Sequence, residues 1–223
     1  MKVTTKISPN HNTGRSGCAI TRITPHCIVG QVSAEECARW FSDPKRQASA
    51  NYIIGKDGEV VYNVLETDRA WTSSSKENDD RAITIECASD TKPPYAFNDK
   101  VYETLIELTA DIIKRNGRKR LKWIPTKNDA LNYKVPDDEM IITLHRWFAA
   151  RECPGDWLVD HMGDYVARVN AKLSGNSQAS SGQVSDNVGT MYYVQCGAFK
   201  NKANAEKLVK DLKAKGFDAI IKE

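Results

Sequence analysis

"RAITIECAS", residues 81–89, is a run of β-favouring residues with one acid, Glu86, set inside it. Its length and apolar content are those of a buried strand. A carboxylate in such a run is costly unless it is paired or functional. The choice is between an edge-strand acid facing water and a group that serves a chemical centre. Upstream, "ITRITPHCIVG" (20–30) is a second apolar run closed by glycine. "ANYIIGKDGEVVYNV" (50–64) reads as a hairpin turning at Lys56-Asp57-Gly58. Between these two, "SAEECARWFSD" (33–43) opens on Ser33 with Glu36 three residues later, the pattern of a capping box. Downstream, "DKVYETLIELTADIIKRNG" (99–117) has apolar residues at helical spacing and Gly117 as its stop. "MIITLHRWF" (140–148) is another apolar run leading to His145, and "DWLVDHMGDYVARVNAKL" (156–173) is a closing helix capped by Asp156. Strands alternating with helices predict an α/β domain, a central mixed sheet flanked by helices.

Of the 223 residues, 40% are hydrophobic and 27% charged, the profile of a soluble globular protein. No run approaches the roughly 18–20 apolar residues of a membrane span. The opening "MKVTTKISPNHNTGRSG" lacks the apolar core of a secretion signal, so synthesis in the cytoplasm is expected. Net charge is +3, and residues 191–223 alone hold seven lysines against four acids. The rest is therefore near neutral, which argues against a nucleic-acid partner. Six scattered cysteines without a signal peptide point to free thiols or metal ligands rather than disulfides. "SGNSQASSGQVSDNVGT" (174–190) has the composition of a flexible linker. It divides a domain at 1–173 from a short β-α-β piece at 191–223, with strands at 192–199 and 217–223 around a helix at 201–216.

The four histidines differ in context. His11 lies in a polar arm, where solvation is expected, and His161 is expected on a helix surface. His26 and His145 each sit near the end of an apolar run, where a strand would deliver them to the rim of a sheet. Cys153 follows His145 after a short loop closed by Pro154-Gly155. Two imidazoles and a thiolate suit zinc, and three protein ligands leave a fourth position for water. Two core histidines and a buried cysteine are the other reading. Cys27, next to His26, would point to the opposite face of the strand and belong to the core. Near a metal, Glu86 could carry the proton of an attacking water. Arg151 could place a fixed charge at a developing oxyanion or could be an ordinary surface arginine.

The blocks "ITPHCIVG", "ASANYIIGKDGEV", "RAWTSSSKENDDRAITIE" and "LHRWFAARECPG" come in the order and approximate spacing of type 2 N-acetylmuramoyl-L-alanine amidases. That family includes phage and prophage endolysins and the peptidoglycan recognition proteins, and the sequence most resembles endolysins of clostridial type. The resemblance covers residues 1–173. It implies a zinc hydrolase that cuts the amide between the lactyl group of N-acetylmuramic acid and the L-alanine of the stem peptide. It implies His26, His145 and Cys153 as ligands and Glu86 as the catalytic acid. Arg151 stands where relatives often carry lysine; it keeps the charge but cannot give up a proton near neutral pH. Asn51 and Thr72 take positions where many relatives have histidine, and with Trp71 they are expected to touch substrate. "YYVQCGAFKNKANAEKLVKDLKAKGFDAIIKE" resembles the first half of a SPOR module, which binds peptidoglycan, with Gln195 as a candidate contact. Half a module leaves a sheet edge, so a homodimer through two tails is expected. The resemblance implies action on the cell wall after release from the cytoplasm. The alternative is a protein that binds peptidoglycan without cutting it.

Overall fold

The computed structural model describes residues 3–175 and, in the tail, positions 202, 206, 208–210 and 212, which are helical. The strands expected at 192–199 and 217–223, Gln195 and the pairing of two tails lie outside the described residues. The chain divides into two compact units, Met1–Ser180 and Ser181–Glu223. No helix among the described residues is long and apolar enough to cross a membrane.

In the first unit the strands are β1 (Val3–Thr5), β2 (His11–Asn12), β3 (Arg22–Cys27), β4 (Tyr52–Ile54), β5 (Val60–Tyr62), β6 (Arg69–Ala70), β7 (Ala82–Cys87), β8 (Arg120–Lys122) and β9 (Glu139–Ile142). The helices are α1 (Ala34–Phe41), α2 (Lys76–Asp79), α3 (Asp99–Arg115), α4 (Lys127–Asn132), α5 (Asp156–Asp160) and α6 (Met162–Leu173). Among the described residues, seven strands form one sheet in the order β1-β5-β4-β7-β3-β9-β8, and β2 pairs with β6 apart from it. The β4–β5 hairpin is antiparallel and the other ladders of the large sheet are parallel, which makes the sheet mixed as the sequence predicts. Glu86 is not on an edge: its strand β7 lies in the middle, between β4 and β3.

Local signals place the helices. The Ser33 hydroxyl accepts from the Glu36 N–H at 3.1 Å and starts α1. The Asn98 side chain accepts from the Val101 N–H at 3.0 Å and starts α3, which gives way to Gly117 at φ +69°. The apolar face of α3, including Leu105, Leu108, Ile112 and Ile113, packs with Tyr165 and Val169 of α6 on Ile83 and Ile85 of the sheet. Burying each such side chain stabilises by about 1.5–3 kcal/mol. On the opposite face Cys37, Ala38 and Phe41 of α1 cover Ile53 and Val61. Strand alternation then sorts the central residues. Ile23 and Cys27 of β3 join Ile83, Ile85 and Cys87 of β7 in the α3 cluster, Cys27 as expected. Thr24, His26, Thr84 and Glu86 take the other face.

Three local expectations are corrected. The closing helix is two helices, and α5 begins after Gly155 with no side-chain cap; Asp156 is its first residue and binds Arg146 at 2.8 Å. His161 stands at the break between α5 and α6, its ring stacked 4.0 Å from that of Trp157 and its Nδ1 2.7 Å from the Trp157 carbonyl. The polar arm is built in rather than solvated: His11 belongs to β2, and its Nδ1 lies 2.8 Å from the Ser8 carbonyl.

Candidate metal centre and adjoining clefts

Parallel pairing of β3 with β7 sets His26 directly beside Glu86 at the C-terminal ends of both strands. This is the end of an α/β sheet where ligands collect. Strand β9 flanks β3 on the other side, and the chain leaves it through Leu144 into a 3-10 turn, His145–Trp147. That turn brings the His145 ring to 4.9 Å from the His26 ring, centroid to centroid. Cys153 returns to the same place because the Arg146 N–H donates to its carbonyl at 3.1 Å. Its Sγ lies 3.3 Å from His26 Nδ1 and accepts from the Cys27 N–H at 3.4 Å. The loop closes on Gly155, at φ +93°, where a Cβ would stand 2.6 Å from the Pro94 carbonyl oxygen. Only glycine fits there.

One ligand atom from each of His26, His145 and Cys153 lies within 4.8 Å of the other two. Nε2 of both histidines is buried without a hydrogen-bond partner. Buried polar atoms are normally satisfied, so two histidines that each keep an unpartnered ring nitrogen, grouped with a thiol, fit a dication. Two nitrogens and one sulfur suit zinc, with a fourth position open to water. Burial, reinforced by His145, pulls His26 well below the usual imidazole range. Burial and then Arg151 pull His145 down as well. Both rings are therefore neutral and hold a free lone pair. Hydrogen bonding to the Cys27 thiol, followed by burial, pushes the Cys153 thiol well up.

Glu86 is half-buried, and its Oε2 is buried without a partner. Burial pushes its carboxyl up to about 7, and Arg46 works against that rise. Two clefts, of about 560 and 690 Å³, meet at Glu86, His145 and Arg151. Arg151 is exposed at this junction. Trp71 and Thr72 line the 560 Å³ cleft. Trp71 Nε1 donates to Asn12 Oδ1 at 2.6 Å, and the Thr72 hydroxyl donates to the Ser49 carbonyl at 2.6 Å. Asn51 is a correction. It is fully buried and lines neither cleft, and its side chain bonds Thr84 and the carbonyls of Val64 and Leu65 as part of the scaffold.

The sequence reading passed over Arg46, which lines the same cleft from a 3-10 turn, Pro44–Arg46. The one local signal is Asp43-Pro44, which starts a turn. It also passed over Arg15, whose buried guanidinium donates to the carbonyls of Asp79 and Ala82 at 2.8 and 2.9 Å.

Residues 16–156 match the Amidase_2 family, N-acetylmuramoyl-L-alanine amidase. The chain belongs to this family. Residues 189–223 match the SPOR domain. No curated protein matches the chain significantly. Among solved structures, the amidase domain is similar to an endolysin from Bacillus subtilis, at 16% identity over 76% of this chain and 99% of that one, with a TM-score of 0.53. It is similar to the Staphylococcus aureus hydrolase AmiA, solved with its ligand, at 12% identity over 80% and 87%, with a TM-score of 0.57. It is similar to AmpD at 20% identity over 74% and 94%, with a TM-score of 0.50. Likeness at these identities is a likeness of fold.

Proposed function

We propose that the protein is a zinc-dependent amidase that hydrolyses the bond between the lactyl group of N-acetylmuramic acid and the L-alanine of the peptidoglycan stem. His26, His145 and Cys153 would hold the ion. When bound, zinc supplies a Lewis acid and a water of lowered pKa. The chain's own residues do the rest. Glu86 sits beside His26 and takes the proton of the attacking water. It then returns that proton to the departing L-alanine nitrogen. Burial raises the proton affinity of this carboxyl, which suits it to taking up the proton before it passes it on. Arg151, exposed at the junction of the clefts, presents a fixed positive charge to the carbonyl oxygen as it becomes an oxyanion. The two clefts let a branched substrate pass, glycan on one side and peptide on the other.

The observation that carries this reading is the convergence of three ligands from separate parts of the chain beside an unpartnered carboxyl. Purified wall treated with the protein should gain free L-alanine amino termini. Glu86→Gln should keep its zinc and lose about 10²–10⁴-fold in rate. A variant that lyses wall as fast as the parent would remove Glu86 from its role. Binding without new amino termini would leave a recognition protein in place of an enzyme. The further reading is a phage or prophage endolysin, made in the cytoplasm and acting on the wall after release. The likeness to a Bacillus subtilis endolysin and the SPOR match support it. Lysis of membrane-permeabilised cells that express the protein, against none in intact ones, is the expected result.

A further inference from the structure

We infer that Arg46 binds a carboxylate on the peptide stem, beyond the L-alanine whose amide is cut, and that the cleft therefore prefers stems with that carboxylate free over amidated ones. The inference rests on the proposed amidase reading for the direction in which the stem runs.

Glu86, His145, Trp71, Trp40 and Arg46 all line the 560 Å³ cleft. Four cations line it: Arg46, Arg69, Lys76 and Arg151. Arg69 and Lys76 are both engaged by the carboxylate of Asp80, at 3.5 and 2.5 Å. Arg151 stands close enough to His145 to depress its pKa, at the chemical end. Arg46 is exposed, and its side chain has no hydrogen-bond or ion-pair partner among the described residues. It shares this cleft with Glu86.

An unpaired surface arginine is ordinary; the way this one is held is not. Residues 41–48 are pinned from beneath by Asn10, which is 2% exposed. Its Nδ2 donates to the carbonyls of Phe41, Asp43 and Ala48 at 3.0, 2.9 and 3.3 Å. The Ser8 hydroxyl also donates to the Phe41 carbonyl, at 2.5 Å. Within the turn, Asp43 Oδ1 accepts from the Lys45 N–H at 2.9 Å and the Arg46 N–H donates to the Asp43 carbonyl at 3.0 Å. The turn ends on Gln47 at φ +51°, a conformation that residues other than glycine avoid. Ser74, which also lines the cleft, is left-handed too, at φ +59°. Backbone held in sparsely populated conformations clusters at active sites and ligand clamps. The result is a pre-organised platform that presents a planar fork of N–H donors, the shape that matches a carboxylate. The peptide stem is the part of the substrate that carries carboxylates, and it is the part that continues from the L-alanine.

The test uses soluble muramoyl peptides that differ only in whether the second stem residue carries a carboxylate or a carboxamide. Binding is measured by calorimetry in full-length Glu86→Gln protein, so turnover is not required. The carboxylate form should bind about tenfold or more tightly, the effect of one charge-assisted hydrogen bond. Arg46→Gln in the same background should erase the preference, and Arg46→Lys should restore part of it. In the active protein, Arg46→Gln should raise KM for the carboxylate peptide and leave KM for the carboxamide peptide within about twofold, as expected for loss of a contact that only the carboxylate makes. Equal binding of the two peptides with Arg46 in place, or a preference that survives Arg46→Gln, overturns the inference. Wall cleavage without this discrimination defeats the carboxylate site and leaves the amidase. Discrimination in binding without any cleavage does the reverse.

Discussion

Replacing Asn51 with alanine separates scaffold from substrate contact. The side chain is fully buried. Its Nδ2 donates to the Val64 and Leu65 carbonyls at 3.2 and 3.1 Å, and its Oδ1 accepts from the Thr84 N–H at 3.1 Å. The same Oδ1 receives a longer contact, 3.4 Å, from Arg15. Alanine deletes a partner of two buried backbone groups, the Val64 carbonyl and the Thr84 N–H, while the part-buried Leu65 carbonyl keeps the Asp68 N–H at 2.9 Å. Leaving a buried polar group unpaired costs about 1–3 kcal/mol. The chain can relax at some of these places, so we expect a loss of about 3–5 kcal/mol, in the range reserved for broken buried networks. For a domain of this size that lowers Tm by about 6–20 °C. Urea titration and a thermal melt read the stability. At low temperature, where the variant is still folded, KM for wall fragments should stay within about twofold of the parent. A tenfold rise in KM with an unchanged melt would refute the reasoning and return Asn51 to the substrate site.

Other outcomes follow from the metal loop and from burial. Cys153→Ala should lose zinc and activity together, and an unchanged zinc content by elemental analysis would show that the ligand set is wrong. Gly155→Ala should push the loop away from Pro94 and weaken zinc retention against a chelator by at least about tenfold, the scale of supporting-residue effects at metal sites. Retention equal to that of the parent would show that the loop absorbs the added carbon. In metal-free protein, burial raises the Glu86 carboxyl from the ordinary 4.5 to about 7. A carboxyl raised in the folded state binds its proton more tightly there than in the unfolded chain, so it costs stability above pH 7 and nothing below about pH 4.5. Glu86→Gln should therefore melt higher than the parent at pH 8, with the gap closing as pH falls through that window; a gap independent of pH would contradict the burial argument.

The fold was legible where local chemistry and tertiary context agree. Ser33 caps α1, Gly117 stops α3, and the Lys56-Asp57-Gly58 turn joins β4 to β5 because these residues solve a backbone problem within a few positions of themselves. The placement of Glu86 beside His26 was not legible. It depends on the register of two parallel strands 60 residues apart, which no local pattern encodes. Asp156 illustrates the opposite error: an acid at a helix start reads as a cap, yet Arg146 takes its carboxylate and the cap position falls on Gly155, where a side chain would meet the Pro94 carbonyl. The arm "SPNHNTGRSG" was misread because polar composition signals solvent exposure. Here the polar atoms of Asn10 and Arg15 are buried and satisfied by backbone carbonyls contributed from far along the chain.

That arm also has a practical meaning for anyone cutting the gene. The similarity to the amidase family begins at residue 16, whereas β1, Ser8, Asn10 and Arg15 all precede it. A fragment trimmed to the recognisable segment would be missing a sheet edge, the nails under one wall of the groove and a guanidinium that ties Asp79 to the first residue of β7. The shortest piece worth expressing therefore starts ahead of the part that looks familiar.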